Sequence, residues 1–383
     1  MNRNAKIEVI VIGLLVMLSI PGYSEEKVFT LQDCLSIAQK NQTDIISTTN
    51  NVKAAKDRLT QQKSQYYPKV TIQNNTFTTG DRGVLSQSTT GTALSVNQTI
   101  WDGGMREAKI DNSKSTYNAE KSSLERTRQT VVYSVSKAYY AVLQAKHLEE
   151  VQLANVKYNE TLKQQIEMRA KLGDAATVDI LPIEAQLASA RVSLITSQTN
   201  TRSALIDLQT AIGLTPVEDF DIADISQSPN FMPDAADSYF TEAKNSRPDI
   251  KQAEYQSKAL SASVRAAQIP LYPQPSITAG YSKSISGGYG TTGGQIIGSI
   301  SFDVFDAGSN KAALDEAKAN KANADESINN LTRQVKADIQ QSILNIKDAS
   351  ARYEAAQVSL NSSQKNLEAQ QERYNQRLQR RNL

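Results

Sequence analysis

The feature that most restricts the fold is a four-residue turn that occurs twice. Trp101-Asp102-Gly103-Gly104 closes a short Ser/Thr-rich alternating stretch and opens a long run of Ala, Gln, Lys and Glu. Phe305-Asp306-Ala307-Gly308 does the same 204 residues later. Other landmarks keep step at an offset of 205: Tyr67-Pro68 with Tyr272-Pro273, and Asn41 to Asp44 with Ser246 to Asp249. Self-similarity at a fixed spacing means one architecture built twice. Each copy reads as helix, strand pair, long helix.

Composition narrows what such a unit can be. Only 6% of residues are aromatic and Ala carries much of the apolar content, which suits long, thin helices with small-residue seams. With 42 basic and 40 acidic residues, the charge balance excludes a general nucleic-acid footprint.

Residues 1–24 have the features of a secretory signal peptide: Arg3 and Lys6, an apolar run from Val9 to Ile20, and small residues in Gly22-Tyr23-Ser24. A membrane anchor is the competing reading. The run is short for a span and no strong stop-transfer charge follows. The mature chain, from near Glu25, holds one cysteine, Cys34, which cannot form an internal disulfide. With Leu31, Leu35 and Ala38 beside it on a helix, Cys34 is expected as a buried thiol.

The first repeat is 25–216. Thr30 and Asp33 form a variant capping box for a helix that breaks at 41–44, and a second helix runs to about Gln65. Tyr67-Pro68 ends it, since the residue before proline is pushed toward extended geometry. Residues 70–100 read as a hairpin: strands at 70–80 and 91–100 around a loop at 81–90, with Leu94, Val96 and Ile100 on one face and Ala93, Ser95, Asn97 and Thr99 on the other. Helices are expected at 104–172 and 176–213. The first would be a rod of roughly 100 Å, with Val131, Val135, Ala138, Val142 and Ala145 at coiled-coil spacing. Residues 217–234, aperiodic and rich in Asp, Pro and Ser, form the inter-repeat linker.

The second repeat, 235–383, has a hairpin at 275–304 around a Gly/Ser loop at 284–294, then a helix at 311–375 with Ile328, Leu331, Val335, Ile339, Ile343 and Ile346 inward. By the offset, Arg373-Tyr374 aligns with Arg169-Ala170, so the return helix of the first repeat has no counterpart. The expectation is a chain cut short or frameshifted near 376, or an incomplete gene model.

A strand with one apolar and one polar side suits either a soluble core or a transmembrane barrel wall. Pattern alone leaves both open, because the signal per strand is weak. Four strands cannot close a barrel, so a membrane reading requires several chains to share one.

Together the signal peptide, the Leu31…Ala38…Asn41 opening, Tyr67-Pro68, the repeated aromatic-Asp-Gly/Ala-Gly turn and Gly173…Thr177-x-Asp179-Ile180 resemble the TolC family of outer-membrane efflux proteins, over about 27–376. The resemblance implies a mixed fold: a long antiparallel α-helical coiled-coil barrel, plus four strands per chain in a homotrimeric twelve-stranded outer-membrane β-barrel. It implies loops 81–90 and 284–294 facing outside, and strand-to-helix turns (Trp101, Asp102, Gly103, Gly104; Phe305, Asp306, Gly308) on the periplasmic side. It further implies passive export of small molecules (drugs, toxic compounds or metals) from a Gram-negative cell. A periplasmic adaptor and an inner-membrane pump of RND, ABC or MFS type would be the partners, outer-membrane lipid the surroundings, and no cofactor would be needed. The alternatives are a type I secretion component exporting proteins, a nonfunctional shortened member, and a structural coiled-coil protein of the cell envelope with soluble strands and no pore.

By the same resemblance Asp179 and Tyr374 match periplasmic gate positions, and Lys171, Gly173 and Asp174 an adaptor-contact turn. For Asp179 the competing role is that of a helix N-terminal carboxylate holding free amides. No catalytic, metal or cofactor constellation is expected. His147 is the only histidine, on the polar side of a helix, and no Walker, Rossmann or zinc spacing occurs.

Overall fold

The computed structural model describes residues 28–81, 84–173, 175–216, 220–225, 236–286 and 289–381. Residues 1–24, expected as a signal peptide, Asp174, both hairpin tips and most of the expected 217–234 linker lie outside the described residues. In chain order come β1 (Val28–Phe29), α1 (Leu31–Asn41), α2 (Thr43–Lys63), β2 (Lys69–Asp81), β3 (Val84–Trp101), α3 (Met105–Lys171) and α4 (Ile180–Ala211). Then follow β4 (Asp221–Ile222), α5 (Ala236–Ser246), α6 (Pro248–Gln268), β5 (Gln274–Ser286), β6 (Tyr289–Ser301) and α7 (Ser309–Arg381). The order helix, helix, hairpin, long helix is therefore realised twice. At 73 residues, α7 is about 110 Å long if straight.

Two compact units emerge, and they cut across the repeats: Met1–Ala38 with Ser134–Ser226, and Gln39–Tyr133 with Gln227–Leu383. In the first, the start of α1 is fixed by the expected capping box. Asp33 Oδ2 accepts the Thr30 N–H at 3.0 Å, and Thr30 Oγ1 accepts the Asp33 N–H at 3.2 Å. Cys34 and Ala38 are fully buried one turn apart. Burial, with the adjacent Asp33 charge, pushes the Cys34 thiol up to about 11, so it is an inert core thiol. Val156 on α3 packs with Leu187 and Ala190 on α4.

The linker needs a correction. Asp221–Ile222 is a strand, β4, pairing in parallel with β1, and Phe220 stacks on Phe29 with ring centroids 4.8 Å apart. The buried Tyr139 hydroxyl lies 2.6 Å from the Ala223 carbonyl oxygen and 3.3 Å from that of Phe29. Lys146 pairs with Asp221. A two-residue strand is too short for any periodicity to announce it.

In the second unit, α2, α3, α6 and α7 pack through small residues, among them Ala55, Ala108, Ala119, Ala259 and Ala262, all buried. The α5–α6 break places Pro248 at the first turn of α6, where its missing N–H costs nothing. Arg247 holds Asp249 there at 2.6 Å, and Arg126 of α3 reaches the same carboxylate at 3.7 Å. Burial works to raise the Asp249 carboxyl, but the bond from Arg247, then Arg126 and the Ile250 N–H, hold it below its ordinary value.

The four-stranded sheet has the order β2-β3-β5-β6 and is antiparallel throughout. Here the loop expectations fail. Residues 84–90 continue β3, paired back to 76–81, and β5 and β6 extend to Ser286 and from Tyr289. Ser, Thr and Gly give no apolar alternation, yet backbone ladder bonds need none and Thr favours extended backbone. Conversely β6 stops at Ser301, short of the expected 304.

Candidate functional site

Residues paired across neighbouring strands share a face. The register therefore puts Val70, Ile72, Leu94, Val96, Ile277, Ala279, Tyr281, Ile296 and Ile300 on one side of the sheet. Lys69, Thr71, Gln73, Ser95, Asn97, Ser276, Thr278, Ser282, Gln295 and Ser299 lie on the other, with Ile297 as an apolar exception there and Gln98 and Lys283 as polar exceptions on the first side. The two hydroxyls of Ser276 and Ser299 meet at 2.8 Å on that polar side. The apolar side is bare: Ile296 is 77% exposed, and Ile72 and Val70 are similarly open. β2 and β6 are the outer strands of the sheet.

The register breaks once between β3 and β5, with Thr99 opposite Thr278 but Trp101 opposite Ile277. Ile100 is the extra residue of a β-bulge, so Trp101 takes the apolar-face position that strict alternation had given to Ile100. The extra residue falls out of the ladder, and Arg106 meets the backbone carbonyls around it. Its guanidinium donates to Thr99 O at 2.9 Å, Ile100 O at 3.3 Å and Gln65 O at 3.4 Å. Arg106 is 5% exposed and stacks over the Tyr66 ring at 4.1 Å. The Tyr66 hydroxyl donates to Glu107 at 3.1 Å, and Gln98 Nε2 donates to Tyr66 O at 2.9 Å. Sequence reading missed Arg106 because a bulge is a property of two strands, invisible in one.

Each expected turn forms an elbow from strand to helix. In the first, Asp102 accepts the Arg106 N–H at 3.0 Å, while Gly103 and Gly104 take φ of 74° and 92°. In the second, Asp306 accepts from Asn310 N–H at 2.7 Å and Gly308 N–H at 2.9 Å. Ala307 there has φ 52° and Phe305 is 89% exposed.

At the far end of α3 the chain turns through Gly173, at φ 76°, and a 3₁₀ turn at Thr177–Asp179 into α4. Lys171 is the last residue of α3 and is exposed. Asp179 is exposed and its Oδ2 accepts the Ala176 N–H at 3.1 Å, so the amide-holding role is filled by one oxygen. Leu172 is 78% exposed, with Met168, Val178 and Leu181 also open. Above the tip, Lys163–Glu184 and Arg191–Glu160 join α3 and α4, both at 2.8 Å. Tyr374 lies on α7, with its side chain outside the described residues. His147 is exposed, with Glu150 at 3.3 Å and Asp224 at 3.7 Å. Among the described residues no helix is long and apolar enough to cross a membrane, which says nothing about a barrel, and no cluster of three metal-ligating side chains occurs.

The comparisons with known proteins agree with this geometry. Toluene efflux pump outer membrane protein TtgC of Pseudomonas putida is 24% identical over 311 residues, 76% of this chain and 63% of that protein. Pyoverdine export outer membrane protein OpmQ of Pseudomonas aeruginosa is 25% identical over 209 residues, 55% of this chain and 44% of that protein. The chain thus spans less than two thirds of the length of these relatives. Among solved structures, the Campylobacter jejuni CmeC outer membrane channel superposes with a TM-score of 0.77, at 18% identity, over 90% of this chain and 76% of that one. The outer membrane protein VceC of Vibrio cholerae gives 0.71, at 17% identity, over 84% and 80%. The duplicated fold of long helices and four strands is thus the expected one. The family model for outer membrane efflux proteins matches residues 34–214 and 240–376, and the chain belongs to that family.

Proposed function

We propose that three copies of this chain pool their sheets into one closed twelve-stranded barrel in the outer membrane, continuous with a helical tunnel in the periplasm. The assembly conducts small molecules outward through a water-filled lumen. The observation that carries this reading is the sheet itself, bare on an apolar face, polar on the other, with two outer strands. Its strands of 13 to 18 residues exceed the roughly 9–11 that a tilted crossing needs. Unpaired backbone cannot sit in hydrocarbon, so the edges of one copy must meet those of others. The apolar face then meets lipid and the Ser/Thr/Gln face lines the lumen.

Conduction through such a lumen is passive, so force and substrate choice come from a periplasmic adaptor and an inner-membrane pump. The names of the relatives point to small organic compounds such as toluene and pyoverdine as the substrate class. At the tip, Lys171, Gly173 and Asp174, with the exposed Leu172, form the adaptor contact. Asp179 and Tyr374 form the gate, where a threefold ring of carboxylates attracts cations and narrows the exit.

Purified protein in planar bilayers tests the channel. A heat-modifiable oligomer with discrete cation-favouring conductance is expected, and a soluble monomer without conductance would overturn the reading. Asp179→Ala should lower cation selectivity severalfold. Unchanged selectivity would remove Asp179 from the gate while leaving the channel in place.

A further inference from the structure

All four helix-side strand ends carry an exposed aromatic residue. Tyr67 precedes β2, Trp101 ends β3, Tyr272 precedes β5 and Phe302 follows β6. Of these, Trp101 alone is aimed by a bulge, and Arg106 holds the carbonyl of the unpaired Ile100 together with that of Thr99 just before it. A register break inside a transmembrane wall is costly unless its freed polar groups are satisfied. It is retained here where it turns an indole onto the apolar face at the point where strand becomes helix. Indole has an apolar body and a single N–H donor, the combination favoured at the boundary between headgroups and acyl chains.

We infer that Trp101 is an interfacial anchor resting among the headgroups of the periplasmic leaflet, and that Arg106 is the positioning residue that holds it there through the Ile100 bulge. This rests on the membrane reading above. The occupant is the lipid boundary, because the Trp101 site continues the bare apolar face and lies at its helix-side end.

Trp101 is the only tryptophan of the chain, so the protein reports on itself. The experiment is intrinsic fluorescence of the full chain in phosphatidylcholine vesicles, with bromines placed either high on the acyl chain near the headgroups or low near the bilayer centre. Quenching at least twofold stronger by the high bromines is expected. Equal or stronger quenching by the low bromines overturns the anchor, as does no quenching while conductance and the heat-modifiable oligomer persist. Failure to insert at all, seen in the same vesicles as absence of both, instead sinks the membrane reading and the anchor with it.

Arg106→Met should cut the high-bromine quenching at least twofold and shift emission to the red, with helical circular dichroism retained. Unchanged quenching would show that Arg106 positions nothing. Arg106→Lys, which keeps the charge but offers a point donor instead of a planar fork, supplies the same readout if the Met variant does not assemble. There an intermediate loss is expected, and wild-type quenching removes the role.

Discussion

The two elbows start from nearly the same residues and end in opposite states. Trp101-Asp102-Gly103-Gly104 is locked: a buried Arg106 bridges the last turn of helix before β2, the bulge of β3 and the start of α3. Phe305-Asp306-Ala307-Gly308 has Asn310 in place of that arginine, and Val304 and Phe305 stand 87% and 89% exposed. The difference follows from strand order. β3 is an inner strand, and its elbow is surrounded by its own chain; β6 is an outer strand. Duplicating a motif therefore does not duplicate its environment. The copy at the edge keeps only what the backbone requires, an aspartate cap and two left-handed residues.

The largest test of this contrast removes the locking residue. Arg106→Met leaves the Thr99 and Ile100 carbonyls without their charged donor, and should cost about 3 kcal/mol. Its counterpart Asn310→Ala, at a half-buried position without a bridging charge, should cost about 0.5 kcal/mol or less. Denaturant unfolding followed by circular dichroism compares the two, and equal losses would erase the distinction between locked and bare elbows.

Next in size is the backbone. Gly103 sits at φ 74°, where an L-residue is strained by about 1–2 kcal/mol, and a Cβ there would meet Ile269 at an ordinary 3.6 Å. Gly103→Ala should therefore destabilise by about 1 kcal/mol through conformation and not through clash. The second repeat already carries this substitution, since Ala307 holds φ 52°. Ala307→Gly should relieve that strain and stabilise by a little less, about 0.5 kcal/mol, because glycine also gains freedom in the unfolded chain. The opposite signs of the two variants are what thermal unfolding must reproduce.

Both elbows were legible in the sequence, because aspartate followed by small residues at a strand-to-helix change is a local signal. So were the Thr30–Asp33 capping box and the buried Cys34, each decided within one turn of helix. The lock was not legible. It depends on Ile100 slipping against β5, and β5 lies far along the chain; no window around Arg106 contains that information. The extended hairpin ends escaped for another reason: residues 84–90, 284–286 and 289–294, rich in Ser, Thr and Gly, read as loop by composition, while the ladder that makes them strand is backbone chemistry. At the tip the sequence offered Asp179 by position, and the structure adds its bond to Ala176 and the apolar surroundings at Leu172 and Val178.

The finest test concerns the cap that the bare elbow retains. The Asp306 carboxyl is held below its ordinary value, first by the Asn310 N–H and then by the Gly308 N–H. A carboxylate lowered on folding contributes stability that is complete above its unfolded pKa, about 3.9, and lost as pH falls through the lower folded value. Hydrogen exchange, corrected for its intrinsic pH dependence, should thus show protection at the Gly308 and Asn310 amides that holds at neutral pH and fades below about pH 4. In Asp306→Asn the amide oxygen can still accept one bond, so some protection remains, but the acid step should vanish. Should the step survive the substitution, another group governs the elbow. The start of α7 would then be held by something other than its own aspartate, and the second elbow would be less bare than its exposed side chains indicate.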